Sequence, residues 1–271
     1  MHLISLYLLF LPFTNNWTYS KTIGVGGGNF IVCYGKLDAN SVKGYDLVIL
    51  EPGHYEAHDI EIFKAHNNRV AAYISLTEVN KNSRYFKALS QFTMGNNEYW
   101  ESCYIDIRDK NAKKVVLNIV DDILDKGFNA LFLDNLDNVS QWGALKGFEL
   151  DLVSLIMDIH IMNKHIYLIQ NSGFFLNDYL QNITNAILVE SLFSSYDFDT
   201  SSYAWRDDYS KNIMLDRINE TRSKTSKKIY VLEYAEAPHM KSQLSKKLDS
   251  LKLEYYIGYI ELQQLVTLNS K

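Results

Sequence analysis

Acidic residues recur in this sequence at the ends of short apolar runs. Glu51 closes Asp46–Glu51, Glu78 follows Val70–Leu76, and Asp106 stands near the end of Ser102–Ile107. Asp134 closes Ala130–Asp134 with Asp137 just beyond it, Glu190 closes Ala186–Glu190, and Glu233 is next to last in Ile229–Tyr234. Ile166–Asn171 ends on the amide Asn171. Acidic residues number 32 of 271, about 12% of the chain, so their recurrence at one kind of position exceeds chance placement. One such residue alone means little, because strand ends meet solvent and often cap the next helix. As a set they define an acidic cleft. Paired carboxylates suit glycosidic bond cleavage: one carboxyl donates a proton to the leaving oxygen while the other, ionised, acts as nucleophile or as base for water. Crowding on a partly desolvated floor drives their pKa values apart and so creates the two roles. Tyr34, Tyr73, Tyr234, Phe193, Tyr196, Tyr203 and Trp205 lie on or just after the same run ends and offer stacking faces for sugars. The same acids could hold a cation, but no His accompanies them at these ends and neither CxxC nor HExxH occurs. Neither a metal nor a cofactor is expected.

Side chains so far apart in sequence converge only if the runs are neighbouring strands. The runs begin with Phe30–Tyr34, continue through those above, and finish with Tyr255–Ile260. Most are continuous and rich in Val, Ile, Leu, Tyr and Phe, as parallel strands buried on both faces are. Helical patterns separate them. In Asn111–Lys126, Ala112, Val116, Ile119 and Ile123 form one apolar stripe, and Gly127 stands where a helix-stopping residue belongs. Phe148–Asn163 and Met240–Leu253 read as helices as well. Alternation over this length predicts an α/β fold, a single-domain (β/α)8 TIM barrel over residues 30–271, whose strand C-termini form one mouth. A doubly wound open sheet is the runner-up. It wants a Gly-rich turn after the first strand, whereas Gly26-Gly27-Gly28 precedes that strand and Tyr34-Gly35-Lys36 is a poor substitute.

The composition, 47% hydrophobic and 22% charged, is that of a globular chain. A net charge of −5 without a basic block argues against a nucleic-acid partner and favours neutral or cationic ligands. Cys33 and Cys103 sit in apolar runs and read as buried free thiols. Residues 1–20 carry no Asp, Glu, Lys or Arg, and Leu3–Phe13 has the length of a signal-peptide core. The expected organisation is a leader over 1–20, a Gly-rich linker over 21–29 and the barrel thereafter. The chain would be secreted, periplasmic or extracellular, monomeric, and without stable membrane insertion, since no other run is long and apolar enough to span a bilayer.

Seven segments, in order, resemble the endo-α-1,4-polygalactosaminidase family (glycoside hydrolase family 114). They are Tyr45–Pro52, Tyr73–Glu78 followed by Arg84-Tyr85, Tyr104–Asp109, Gly127–Asp137, Gln170–Ser172, Val189–Leu192 and Glu233–Ala235. The likeness runs from about Phe30 to Ile260. It implies a barrel with an endo-acting glycosidase site for an amino-sugar polysaccharide or oligosaccharide of the α-1,4-galactosaminoglycan type. Carried over by position, Asp134 and Glu190 would be the catalytic carboxylates. Glu51, Tyr73, Glu78, Asp106, Asp137, Asn171, Glu233 and Tyr234 would line the substrate cleft. Thr77 stands where the family usually has Gly, Asn129-Ala130 replaces a frequent Asp-Gly, and Glu233 takes the place of a common Asp.

Two rival readings exist. A barrel can bind glycan without cutting it, since a fold does not guarantee activity; retention of both Asp134 and Glu190 argues against this. A barrel enzyme for phosphorylated metabolites would place phosphate loops after strands seven and eight. Ser191-Leu192-Phe193-Ser194 and Ala235-Glu236-Ala237-Pro238 occupy those places, and Glu236 would repel a phosphate.

Overall fold

The computed structural model describes residues 29–266. The leader and the linker expected over 1–29 therefore lie, apart from Asn29, outside the described residues. Eight parallel strands form one sheet: β1 (Phe30–Cys33), β2 (Leu47–Leu50), β3 (Arg69–Ser75), β4 (Ala130–Asp134), β5 (Tyr167–Asn171), β6 (Ala186–Glu190), β7 (Lys228–Tyr234) and β8 (Glu254–Gly258). Each pairs with its sequence neighbours, so the sheet curls in a single direction. The two ends of the sheet, β1 and β8, lie against each other, so the ring is nearly closed. Inside the seam, Phe30 meets the rings of Tyr230 and Tyr256 at centroid distances of 4.9 and 6.3 Å. Above it, the Leu262 carbonyl accepts from Tyr34 N at 2.7 Å and Gly35 N at 3.4 Å. A Cβ on Gly35 would stand 1.9 Å from the Gln263 carbonyl oxygen. That glycine is fixed by backbone crossing at the seam, not by a phosphate turn.

Helices α1 (Ala57–His66), α2 (Lys110–Asp125), α3 (Glu149–Met162), α4 (Asp208–Lys224) and α5 (Pro238–Ser250) lie between the strands in sequence. The predicted stripe on α2 is the buried face: Ala112, Val116, Ile119 and Ile123 are buried, with Val120. Asp109 caps its start by accepting from Asn111 N and Ala112 N. Gly127 takes φ +97° past its end, a conformation that a side chain would strain.

One run departs from expectation. Ser102–Ile105 pairs antiparallel with Glu78–Asn80 and Thr93–Asn97 in a separate three-stranded sheet inserted between β3 and α2. Its apolar side chains, Cys103 and Ile105, are buried, which is why it reads like a core strand. Glu78–Asn80 follows β3 at once, so this local pairing closes a short loop at little entropic cost. The fourth place in the ring goes to Ala130–Asp134, in register with β3 from Ala71↔Ala130 to Ser75↔Asp134. Asp106 is consequently not at a barrel strand end. Its carboxylate is held by Arg108 Nε and Nη2, both at 2.8 Å. The eighth strand is Glu254–Gly258, the run that follows the last helix.

Candidate active site

Period-two alternation decides which strand-end residues face the ring interior. The registers set Leu47 beside Phe30, Ile49 beside Ala71, Phe132 beside Tyr73 and Ile169, and Tyr230 beside Leu188. Two residues beyond Ile49, Ala71, Phe132, Ile169 and Leu188 the same faces carry Glu51, Tyr73, Asp134, Asn171 and Glu190, and four residues beyond Tyr230 and Phe30 they carry Tyr234 and Tyr34. The inner face ends in acids, amides and phenols, while the residues between them pack outward. Ile187, Val189, Val231 and Ile257 meet Met240, Leu244 and Leu248 of α5.

Asp134 and Glu190 come together on Asn171. The side-chain nitrogen of Asn171 donates to Oδ1 of Asp134 at 2.6 Å and to Oε1 of Glu190 at 2.6 Å. Asp134 also accepts from the Asn135 backbone N–H and the Tyr73 phenol. The Tyr234 hydroxyl donates to Oε2 of Glu190. The ring of Tyr34 packs on that of Tyr73, with centroids 4.8 Å apart. Both residues are half-buried at the strand ends.

Burial pushes both carboxyls upward. For Glu190 the negative charge of Asp134 adds to burial, and its pKa reaches about 7. For Asp134 the three donors oppose burial by favouring the ionised form. The phenols of Tyr34, Tyr73 and Tyr234 are raised by burial and then by these same carboxylates, so they stay neutral donors.

A cavity of about 440 Å³ lies to one side of the pair, lined by Glu51, Tyr73, Ser75, Glu78, Arg84 and Tyr85 among others but by neither carboxylate. Tyr73 connects it to Asp134. Glu51 accepts from Gly53 N at 3.1 Å, and burial raises its carboxyl pKa. Glu78 is buried and is held by Asn138 at 2.7 Å, Asn97 at 3.2 Å and Ser102. It ties the inserted sheet to the loop after β4. Thr77, in the place of the family's glycine, donates to the Asn135 carbonyl at 2.7 Å and accepts from Asn138 at 2.8 Å. No left-handed φ is required there, which is why a side chain is tolerated. Asp137 is exposed and accepts from Gly173 N–H, linking the loops after β4 and β5.

Glu233 departs from the expected role. It points out of the ring, is 0% exposed, and accepts from Phe193 N at 2.8 Å, Ser194 N at 2.9 Å and Ser194 Oγ. It anchors the loop after β6 and lines no cleft. Alternation gives the reason: Tyr234 faces inward, so its neighbour cannot. Ser75, which no acid or aromatic pattern singles out, also belongs to the site: it accepts from Asn135 Nδ2 at 2.8 Å and from Glu78 N at 3.1 Å. The same alternation, counted on from Tyr73, would have found it. Three left-handed residues, Asn135 (φ 61°), Ser172 (φ 48°) and Ser191 (φ 54°), directly follow Asp134, Asn171 and Glu190. Among the described residues, no group of His, Cys, Asp and Glu side chains is arranged to hold a metal ion.

A nearly closed parallel ring with acids, amides and phenols gathered at one mouth is the architecture of barrel glycoside hydrolases. The model of glycoside-hydrolase family GH114 matches residues 14–270, and the chain belongs to that family. Its fold is similar to that of the glycoside hydrolase domain of PelA from Pseudomonas aeruginosa, with a TM-score of 0.78 and 20% identity over 88% of this chain and 97% of that one. It is also similar to Aspergillus fumigatus Ega3, solved in complex with galactosamine, with a TM-score of 0.69 and 14% identity over 94% and 100% of the two chains. Among curated proteins, Uncharacterized protein MJ1477 of Methanocaldococcus jannaschii is 24% identical over 208 residues, 69% of this chain. The chain spans 58% of that relative's length.

Proposed function

We propose that this protein is a secreted, endo-acting glycoside hydrolase that cleaves an amino-sugar polysaccharide of the α-1,4-galactosaminoglycan type with retention of configuration. The observation that carries the reading is the shared donor. Because Asp134 Oδ1 and Glu190 Oε1 both lie 2.6 Å from one nitrogen, they are no more than twice that distance, about 5.2 Å, apart. Carboxyls roughly 5–5.5 Å apart fit a nucleophile and an acid/base acting in turn, whereas those that activate a water directly stand ~6.5–9.5 Å apart.

Glu190 is the acid/base. With a pKa of about 7 it holds a proton to give. Asp134, whose carboxyl burial also raises but whose anion three donors favour, is the nucleophile. Glu190 protonates the glycosidic oxygen as Asp134 attacks the anomeric carbon; the C–O bond breaks, and a glycosyl ester of Asp134 forms. Glu190, now anionic, removes a proton from water. The hydroxide adds to the same carbon, the ester bond breaks, and Asp134 returns to its carboxylate. The tyrosines around the pair offer faces to the pyranose, and the acidic mouth attracts a polymer bearing ammonium groups. Galactosamine in the Ega3 complex supports the amino-sugar assignment. Export rests on the apolar stretch Leu3–Phe13.

The test is reducing-end release from partly deacetylated galactosaminoglycan by wild type, Asp134→Asn and Glu190→Gln. Both variants are expected to lose about 10³-fold or more in kcat. Undiminished turnover in either removes that residue from the mechanism, and no release by the wild type removes the assigned substrate.

A further inference from the structure

The inserted sheet after β3 and the hairpin Ser194–Asp197/Ser202–Trp205 after β6 rise from strands that are not neighbours in the ring, yet their tips touch. The rings of Trp100 and Phe198 stand at 84° with centroids 5.3 Å apart, and Tyr99 lies 6.3 Å from Phe198. Tyr196 supports Phe198 from below at 5.0 Å and 78°. These rings are not core: Tyr99 is 76% exposed, Trp100 53% and Phe198 46%. Exposing three large apolar side chains at a contact between loops is unfavourable unless something uses them. The tips are held in place. Asn80 Nδ2 donates to the Trp100 carbonyl at 2.8 Å, and Asp197 Oδ1 accepts from Asp199 N and Thr200 N at 2.9 and 3.2 Å. Both loops follow the C-terminal ends of barrel strands, the side that carries the mouth, and Asn80, which holds the Trp100 carbonyl, also lines the cavity with Glu51, Tyr73 and Glu78.

Charge narrows the occupant. Glu98, Glu101, Asp197 and Asp199 flank the rings and are exposed, and neither 93–101 nor 194–204 contains a Lys or Arg. The carboxylates of Asp197 and Glu101 are held by neutral donors, two backbone N–H groups and Asn82 Nδ2, so their charge stays available to an ammonium group, which the ring quadrupole attracts as well. A neutral acetamido sugar gains the stacking alone.

We propose that the two loop tips form a distal subsite of the cleft, in which Trp100 and Phe198 stack one unacetylated, positively charged amino-sugar unit of the polymer. The proposal rests on the amino-sugar hydrolase reading above, and it assigns a specificity role to residues that do not touch the reacting carbon. A substrate too short to reach from the carboxylate pair to the tips gains nothing from them.

The experiment compares full-length wild type, Trp100→Ala and Phe198→Ala on unacetylated galactosamine oligosaccharides of increasing length and on their N-acetylated counterparts. For long unacetylated oligomers, KM is expected to rise about fivefold to tenfold with kcat unchanged. The shortest cleaved oligomer and the N-acetylated series should change little. Trp100→Phe should restore most of the loss, and added salt should narrow the gap between wild type and Trp100→Ala. A KM that does not change with length in either variant, or an equal loss on the shortest oligomer, overturns the subsite. Calorimetric titration of Glu190→Gln with the long unacetylated oligomer separates this proposal from the hydrolase reading. Binding that weakens when Trp100→Ala is added supports the subsite even if wild type cleaves nothing. Absence of binding, or undiminished affinity in the double variant, overturns it.

Discussion

Asp134 and Glu190 share one hydrogen-bond donor, the side-chain nitrogen of Asn171, which is 2.6 Å from an oxygen of each. The bridge fixes the spacing of the two carboxyls and also sets their acidity, because a donor stabilises the charged form of its acceptor. In Asn171→Ala both carboxyls lose that stabilisation and their pKa values rise. For Glu190, the proposed acid/base, starting from about 7, the proton is retained to higher pH, so the alkaline limb of the kcat profile moves to higher pH. Its maximum falls by about 10²-fold, as for loss of a positioned donor. A kcat–pH profile of the variant checks both effects, and an acid-ward shift of the limb contradicts the donor role.

The same titration predicts an effect on stability. Glu190 has an ordinary value of 4.5, which applies when the chain is unfolded, and about 7 when folded. Between these values the folded state binds more protons than the unfolded state, so stability falls as pH rises through that window. The full displacement corresponds to a penalty on the order of 3 kcal/mol at the alkaline end. Glu190→Gln should therefore raise the midpoint of urea unfolding at pH 8 and leave it nearly unchanged at pH 4. An equal gain at both pH values would mean that packing, and not ionisation, is responsible.

Much of this site was legible because alternation within a strand is a strict rule. Asp134, Asn171 and Glu190 each close a strand whose bounds the apolar runs define, and each faces inward. Glu233 was misplaced because a list of acids near strand ends ignores parity; counting back one residue from Tyr234 puts it outside. Asp106 was misplaced because Ser102–Ile105 is as apolar as a barrel strand and is followed directly by a helix, which imitates a βα unit. Only pairing partners distinguish the two, and pairing is not written in one run of residues. The contact between Trp100 and Phe198 was illegible for a related reason. It joins two loops through tertiary geometry, without any period in the sequence.

Glu233 offers a stability prediction that an active-site residue would not. Its carboxylate satisfies two backbone N–H groups and the Ser194 hydroxyl in a fully buried position. Glu233→Ala leaves those donors unpaired away from water, which costs about 2–4 kcal/mol. Glu233→Gln keeps one acceptor oxygen and should lose less. In both variants, activity should follow the folded fraction measured by circular dichroism, with KM of the folded enzyme unchanged. A raised KM at full folding would return Glu233 to the cleft.

The left-handed residue after each functional strand end supplies the last prediction. Ser191, at φ 54°, follows Glu190; its N–H donates to the Leu232 carbonyl at 2.8 Å, and its own carbonyl accepts from Arg206 Nε at 2.5 Å. The turn thus holds Ser191, directly after Glu190, in a conformation that an L-residue adopts at a cost of about 1–2 kcal/mol. Glycine removes that strain but adds backbone freedom to the unfolded chain, so Ser191→Gly should change stability by less than about 1 kcal/mol. A β-branched residue is strongly disfavoured at this φ. Ser191→Val should therefore lose about 2 kcal/mol and shift the backbone under Glu190, with a fall in kcat larger than the change in KM. Thermal unfolding and steady-state kinetics on the two variants decide the matter. Equal kcat in Ser191→Gly and Ser191→Val would show that the turn carries no positional constraint on the carboxylate.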